Sequence, residues 1–169
     1  MILGMSLSTF TTVHVIISLI GIVAGIIVMF GMLGSNRMPA LTAIFLLSTI
    51  LTSATGFLIL PLVTEKLLPS HIIGALSLVL LAIACIALYG TRLSGASRWI
   101  YALTALIALY LNAFVLVIQS FLKIPALTAL APGNPPSGPV FAVVQGVVLV
   151  LFVLFIIGAA RRFRPMPTY

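Results

Sequence analysis

Ser8–Leu33 reads STFTTVHVIISLIGIVAGIIVMFGML, a run without a single charged side chain. A helix needs about 20 consecutive apolar residues to cross a hydrocarbon core of roughly 30 Å. This stretch is long enough, and it lacks the strict alternation of a barrel strand. Lipid offers no water to unpaired backbone N–H and C=O groups, so an apolar run of this length predicts a membrane-spanning helix.

Working outward, the same signal recurs at about 40–60, 70–90, 99–121 and 140–160. Breaks between the runs carry turn chemistry. Gly34-Ser35-Asn36-Arg37 closes at Pro39, Pro61 stops the second run, and Pro69-Ser70 opens the third with Ser70 expected as its N-cap. A short polar turn, Thr91–Arg98, precedes the fourth. The longest connection, 123–139, holds Pro125, Pro132, Pro135 and Pro136 and is expected to be an irregular, Pro-rich loop at the membrane surface.

Composition agrees. The chain is 63% hydrophobic and 5% charged, with a mean hydropathy of +1.39, against about 25% charged residues in soluble domains. The spans consume nearly all of residues 1–169, so the expected fold is all-α, a single integral membrane domain built as a polytopic five-helix transmembrane bundle. The first run exceeds the 7–15 residues of a signal-peptide core and lacks a basic flank, so it is expected to be a retained helix. A net charge of +7 does not point to nucleic acid, because the arginines are dispersed among short loops and the C-terminal tail. The lone Cys85 falls within a span, which excludes a disulfide framework and reads as a small packing residue.

Five spans put the two termini on opposite sides. The side opposite the N-terminus receives Arg37, Arg92, Arg98, Arg161, Arg162 and Arg164, while the N-terminal side receives Lys66 and Lys123, partly offset by Glu65. Short loops rich in Lys and Arg stay in the cytoplasm, so the expected topology is N-out/C-in. Trp99 and Tyr89 fall where an aromatic belt on the arginine-rich side belongs.

Polar residues inside the runs crowd toward the other side. His14 lies in the outer part of the first run, His71 opens the third, and Asn112, Gln119 and Lys123 descend along the fourth. Gln145 sits near the start of the fifth, and Thr52, Ser53 and Thr55 occupy the outer half of the second. His14, Ser18, Gly21 and Gly25 share one helical stripe; Asn112, Leu116, Gln119 and Lys123 share another. Unpaired amides and imidazoles are costly in lipid, so both stripes are expected to face the bundle interior. Gly21-xxx-Gly25 is the small-residue spacing that lets helix backbones approach.

His14, His71, Asn112, Gln119, Lys123 and Gln145 are therefore the candidate site, an outer-leaflet polar pocket for a small cofactor or ligand. Two neutral imidazoles at similar depth suit the axial positions of a b-type haem, in which case His14 and His71 are the metal ligands. The carboxamides and Lys123 suit the carbonyl oxygens of a quinone. The alternative is a structural or accessory membrane subunit whose polar residues cross-link helices or dock a partner, since Asn, Gln, Ser and Thr commonly do this in membranes. Solute transport ranks below both, for lack of a charged pathway. A single acidic residue, Glu65, leaves no Ser-His-acid set and no metal-hydrolase ligand set, so a stand-alone enzyme is not expected. Expected partners are the lipid bilayer and either a second copy or a larger membrane complex.

Thr11-Thr12-Val13-His14-Val15, Leu51-Thr52-Ser53-Ala54-Thr55-Gly56-Phe57 and Ser70-His71-Ile72-Ile73-Gly74 together resemble a group of small uncharacterised bacterial inner-membrane proteins of proteobacterial type with five predicted transmembrane helices. Leu106–Val117, Gln119–Leu127 and Phe141–Gln145 carry the same likeness. It implies a multi-pass location in a bacterial inner membrane, with no activity attached.

Overall fold

The computed structural model describes residues 4–59 and 69–164 of the chain. These residues form α1 (Leu7–Leu33), α2 (Pro39–Ile59), α3 (Pro69–Cys85, continued by a π-helical turn Ile86–Gly90), α4 (Ser97–Lys123), α5 (Pro125–Leu130) and α6 (Pro139–Arg162), with no β-strand among them. Five of the helices, all but α5, are long and apolar enough to cross a membrane. The protein is thus an all-helical bundle of the kind expected from its hydropathy. The positions of Pro61, Glu65 and Lys66 lie outside the described residues.

Local signals explain the ends. Ser6 caps α1 by accepting from the Thr9 backbone N–H at 3.2 Å. α1 closes at Gly34, whose N–H donates to the Phe30 carbonyl, and Ser35 then turns the chain at φ 58. Pro39 is the first residue of α2 and Pro139 the first of α6, where a missing N–H costs nothing. α3 begins at Pro69, so Ser70 lies within its first turn and not at the expected N-cap.

The connection 123–139 differs from its expected irregularity. Pro125 starts the short helix α5, and the Thr128 hydroxyl folds it back by donating to the Phe121 carbonyl at 2.7 Å. A proline at the first helical position presets φ and sacrifices no bond, so a Pro-rich segment can open a helix even though it cannot continue one. Apart from Ile124, which is extended between α4 and α5, the irregular part is Ala131–Gly138, which contains the cis Asn134–Pro135 peptide.

α4 is the central element and packs on α1, α2, α3 and α6. Small residues on its buried face, Ala102, Ala105 and Ala108, let neighbours come close, while Tyr101, Leu106 and Leu109 fill the remaining space. The stripe predicted on α1 does what its spacing implies. Gly21 meets Ser48 and Thr49 of α2, and Gly25 is wedged against Phe45 of α2 and Leu109 of α4. α6 buries only Gln145 and Ala159 and turns Val143, Val147, Val150 and Leu154 outward. Such a face suits a hydrocarbon environment, where exposed apolar side chains carry no penalty.

Candidate functional site

The antiparallel register of α1 and α2 sets the depth of the polar residues. His14 meets Thr55 and Gly21 meets Thr49, so Ser18 falls level with Thr52. Ser18 also reaches across to Asn112 of α4, with its hydroxyl donating to Asn112 Oδ1 at 3.0 Å. Ser18, Thr52 and Asn112 therefore occupy one layer, with His14 and Thr55 about one turn nearer the N-terminal side. Thr49 lies one turn deeper.

A hydrogen bond then ties the imidazole to α2. The single hydroxyl hydrogen of Thr55 goes to the Leu51 carbonyl at 2.6 Å, the usual recourse of a helical threonine. Its oxygen also lies 2.8 Å from His14 Nδ1, and accepts there when Nδ1 carries the proton. The His14 ring is half-buried.

Three polar atoms in this half of the bundle are buried without a partner: Asn112 Nδ2, Thr52 Oγ1 and Gln145 Oε1. Asn112 is 8% and Gln145 9% exposed, so water does not reach them freely. Gln145 extends from α6 to the other flank of α4, where its Nε2 donates to the Phe114 carbonyl at 3.2 Å. Ring pairs bracket it, Phe121–Phe141 on one side and Tyr110–Phe152 on the other.

The six candidate residues are thus only partly assembled. His14 and Asn112 join one seam between α1, α2 and α4, linked by Ser18 and the threonines of α2. Gln145 lies on the α4–α6 interface beside it. His71, half-buried, packs its ring 5.9 Å from that of Phe57, on the same final turns of α2 that hold His14. It comes from α3, however, and α3 does not pack substantially on α1. The two imidazoles therefore approach α2 from different neighbours.

Gln119 and Lys123 correct the expectation for their stripe, which faces inward only at Asn112; both are exposed. α1 meets α4 at Gly25–Leu109 and Ser18–Asn112, and farther along the stripe Leu116 is half-buried while Gln119 and Lys123 are exposed. Near the membrane surface this exposure is tolerable, since a lysine there reaches the aqueous boundary along its own methylenes. Lys123 nevertheless stays within electrostatic range of His14.

A second feature lies at the opposite end and escaped the sequence pattern. A cavity of about 330 Å³ opens there between the α1–α2 turn, the end of α3 and the start of α4. Arg37, Arg92, Asn36 and Tyr89 line it together with Thr42 and Tyr101. Tyr101 is only 2% and Thr42 6% exposed. The signal that could have revealed it is the placement of Arg37 and Arg92 in the two turns that a five-helix topology brings to one end.

Among the described residues no group of three or more His, Cys, Asp or Glu side chains is placed to hold a metal ion. Fold and site together define an all-helical, multi-pass type of membrane protein with a buried polar seam in one half. No model of a known protein family, no curated protein and no solved structure matches the chain.

Proposed function

We propose that the seam between α1, α2 and α4 binds a small amphipathic molecule of the quinone class in the outer leaflet of a bacterial inner membrane. The observation that carries this is a buried donor without a partner, Asn112 Nδ2, with the half-buried His14 imidazole about one turn away. A buried polar atom left unpaired costs about 1–3 kcal/mol, so an occupant that accepts from Asn112 Nδ2 recovers a sizeable free energy, and a hydrogen bond to the His14 ring would add to it. A quinone carbonyl accepts, and the hydroxyl of its reduced form donates as well. Gln119 and Lys123 lie exposed on α4 beside the seam, where a ligand would arrive from the membrane surface. A bis-histidine haem fits less well, because His14 and His71 reach α2 from helices that do not pack on each other.

Equilibrium dialysis of the detergent-solubilised protein against decyl-ubiquinone tests this. Binding is expected to saturate, and Asn112→Leu or His14→Ala is expected to weaken it about three- to tenfold, the value of one hydrogen bond. Unsaturable partition, equal in the wild type and both variants, overturns the quinone reading. A Soret absorption band in the purified protein that disappears in His14→Ala would assign haem instead.

A second reading has its own support. The other end of each polar side chain already bonds a neighbouring helix: His14 to α2, Ser18 to α4 and Gln145 to α4. On this reading the chain is a structural or accessory subunit, and Asn112→Leu lowers stability by only about 0.6 kcal/mol with no ligand bound to either form.

The proposed orientation is N-out/C-in, supported by the six arginines at the end where α1 meets α2 and α3 meets α4. With Cys85 replaced by alanine, Ser137→Cys is expected to react with a membrane-impermeant maleimide in intact cells, and Ser94→Cys only after lysis. Both positions are exposed. The reverse pattern of labelling inverts the topology.

A further inference from the structure

Thr52 breaks the pattern of the threonines on either side of it. Thr49 and Thr55 each donate to the carbonyl four residues earlier in α2, at 2.8 and 2.6 Å. Thr12, Thr104 and Ser120 do the same in their own helices, at 2.8–2.9 Å. Such a bond satisfies a helical hydroxyl without help from another helix. Thr52 Oγ1 makes none, although it is fully shielded on a residue only 9% exposed.

A second unspent group lies at the same level. Ser18 donates to Asn112 Oδ1 at 3.0 Å, and Asn112 Nδ2 is a buried donor without a partner. Thr49 and Thr55 sit on the face of α2 that meets α1, and Thr52, three residues from each, shares that face. One layer of the seam thus holds two donors, a hydroxyl and an amide. A carbonyl oxygen has two lone pairs and takes both.

Depth restricts the charge of that oxygen. Asn112 precedes Lys123, the last residue of α4, by eleven residues, and Ser18 follows Leu7, the first of α1, by the same number. At 1.5 Å per residue the layer lies about 16 Å from that end of the bundle. Half of a hydrocarbon core is about 15 Å. An anionic oxygen is costly near the middle of a bilayer, so the matching group is neutral.

Resting on the quinone reading of the seam, we infer that Thr52 is a second recognition residue, whose hydroxyl joins Asn112 Nδ2 in donating to one carbonyl oxygen of the bound ring. The pair selects an uncharged ring with a bare carbonyl, and it leaves the His14 imidazole, about one turn away, to the rest of the ligand.

The test is infrared spectroscopy of the detergent-solubilised full chain with saturating decyl-ubiquinone, alongside equilibrium dialysis. Hydrogen bonds lower a carbonyl stretch, so one carbonyl band of the bound ligand is expected below its position in empty micelles. Thr52→Val keeps the shape of the side chain and loses the donor. It should move the band partway back and weaken binding about three- to tenfold, the value of one hydrogen bond. Thr52→Ser keeps the hydroxyl and should bind as the wild type does. Asn112→Leu reads Thr52 without altering it: with the hydroxyl still bonded, the band stays below the micellar position. A band at the micellar position in Asn112→Leu, or an unchanged band and affinity in Thr52→Val, overturns the role of Thr52 and leaves the quinone reading standing. A lower unfolding midpoint in Thr52→Val with the band unchanged assigns the hydroxyl to a structural water and overturns it equally. Unsaturable partition into the wild type removes the quinone reading and this inference together.

Discussion

Gly25→Ala is expected to destabilise the bundle by about 2–3 kcal/mol, the upper part of the range for forcing extra volume into a packed core. A methyl group at this position would lie 2.5 Å from Leu109 Cδ1 and 2.8 and 2.9 Å from the Phe45 ring. Neither neighbour can retreat, since Leu109 and Phe45 are both fully buried. Three helices meet at this point, so separating α1 from α2 also separates α1 from α4. Gly146 provides the control: nothing lies within 4 Å of a methyl group placed there. Gly146→Ala should hold stability or raise it by up to about 1 kcal/mol through helix propensity. Unfolding by sodium dodecyl sulfate, followed by circular dichroism, measures both. Equal midpoints for Gly25→Ala and the wild type would mean that α1 does not cross its neighbours as closely as the structure has it.

Tyr101→Ala is expected to cost about 3–5 kcal/mol, in line with the removal of other fully buried aromatic rings. The ring packs 5.9 Å from that of Phe163, just beyond α6, and lines the same cavity as Thr42 near the start of α2. One side chain thus ties the arginine-rich ends of α2, α4 and α6. Tyr101→Phe keeps the ring and loses only the hydroxyl, so no more than about 1 kcal/mol is expected. The same unfolding titration distinguishes them. If the two variants lost the same amount, the hydroxyl and not the ring would be the stabilising group, and the packing account would fail.

Much of the fold was legible before any coordinates. Ser8–Leu33 and the runs like it announce helices because a backbone in lipid must satisfy itself along each span, and hydropathy along the chain reports that demand directly. The Gly21 and Gly25 stripe was legible for the same kind of reason: helical periodicity states which residues share a face. The candidate site was legible only in part. Periodicity groups Asn112 with Gln119 and Lys123, yet it cannot say how far along α4 a neighbour extends, and the cover ends between Asn112 and Gln119. The short helix in 123–139 was hidden because proline content reports where a helix cannot continue, not where one starts.

The hydrophobic runs and the placement of charges between them determined, without help from any contact, the all-helical class, the five spans and the unequal charge of the two ends. These are properties of single segments in a solvent that enforces them one at a time. Which helix lies beside which was decided only in three dimensions. That choice sets His14 against Thr55 and Ser18 against Asn112, sends Gln145 to the other side of α4, and brings Arg37 and Arg92 around one cavity. The physical reason is that lipid matches apolar side chains as well as a neighbouring helix does. Helix pairing therefore rests on close packing and a few hydrogen bonds between residues far apart in the chain.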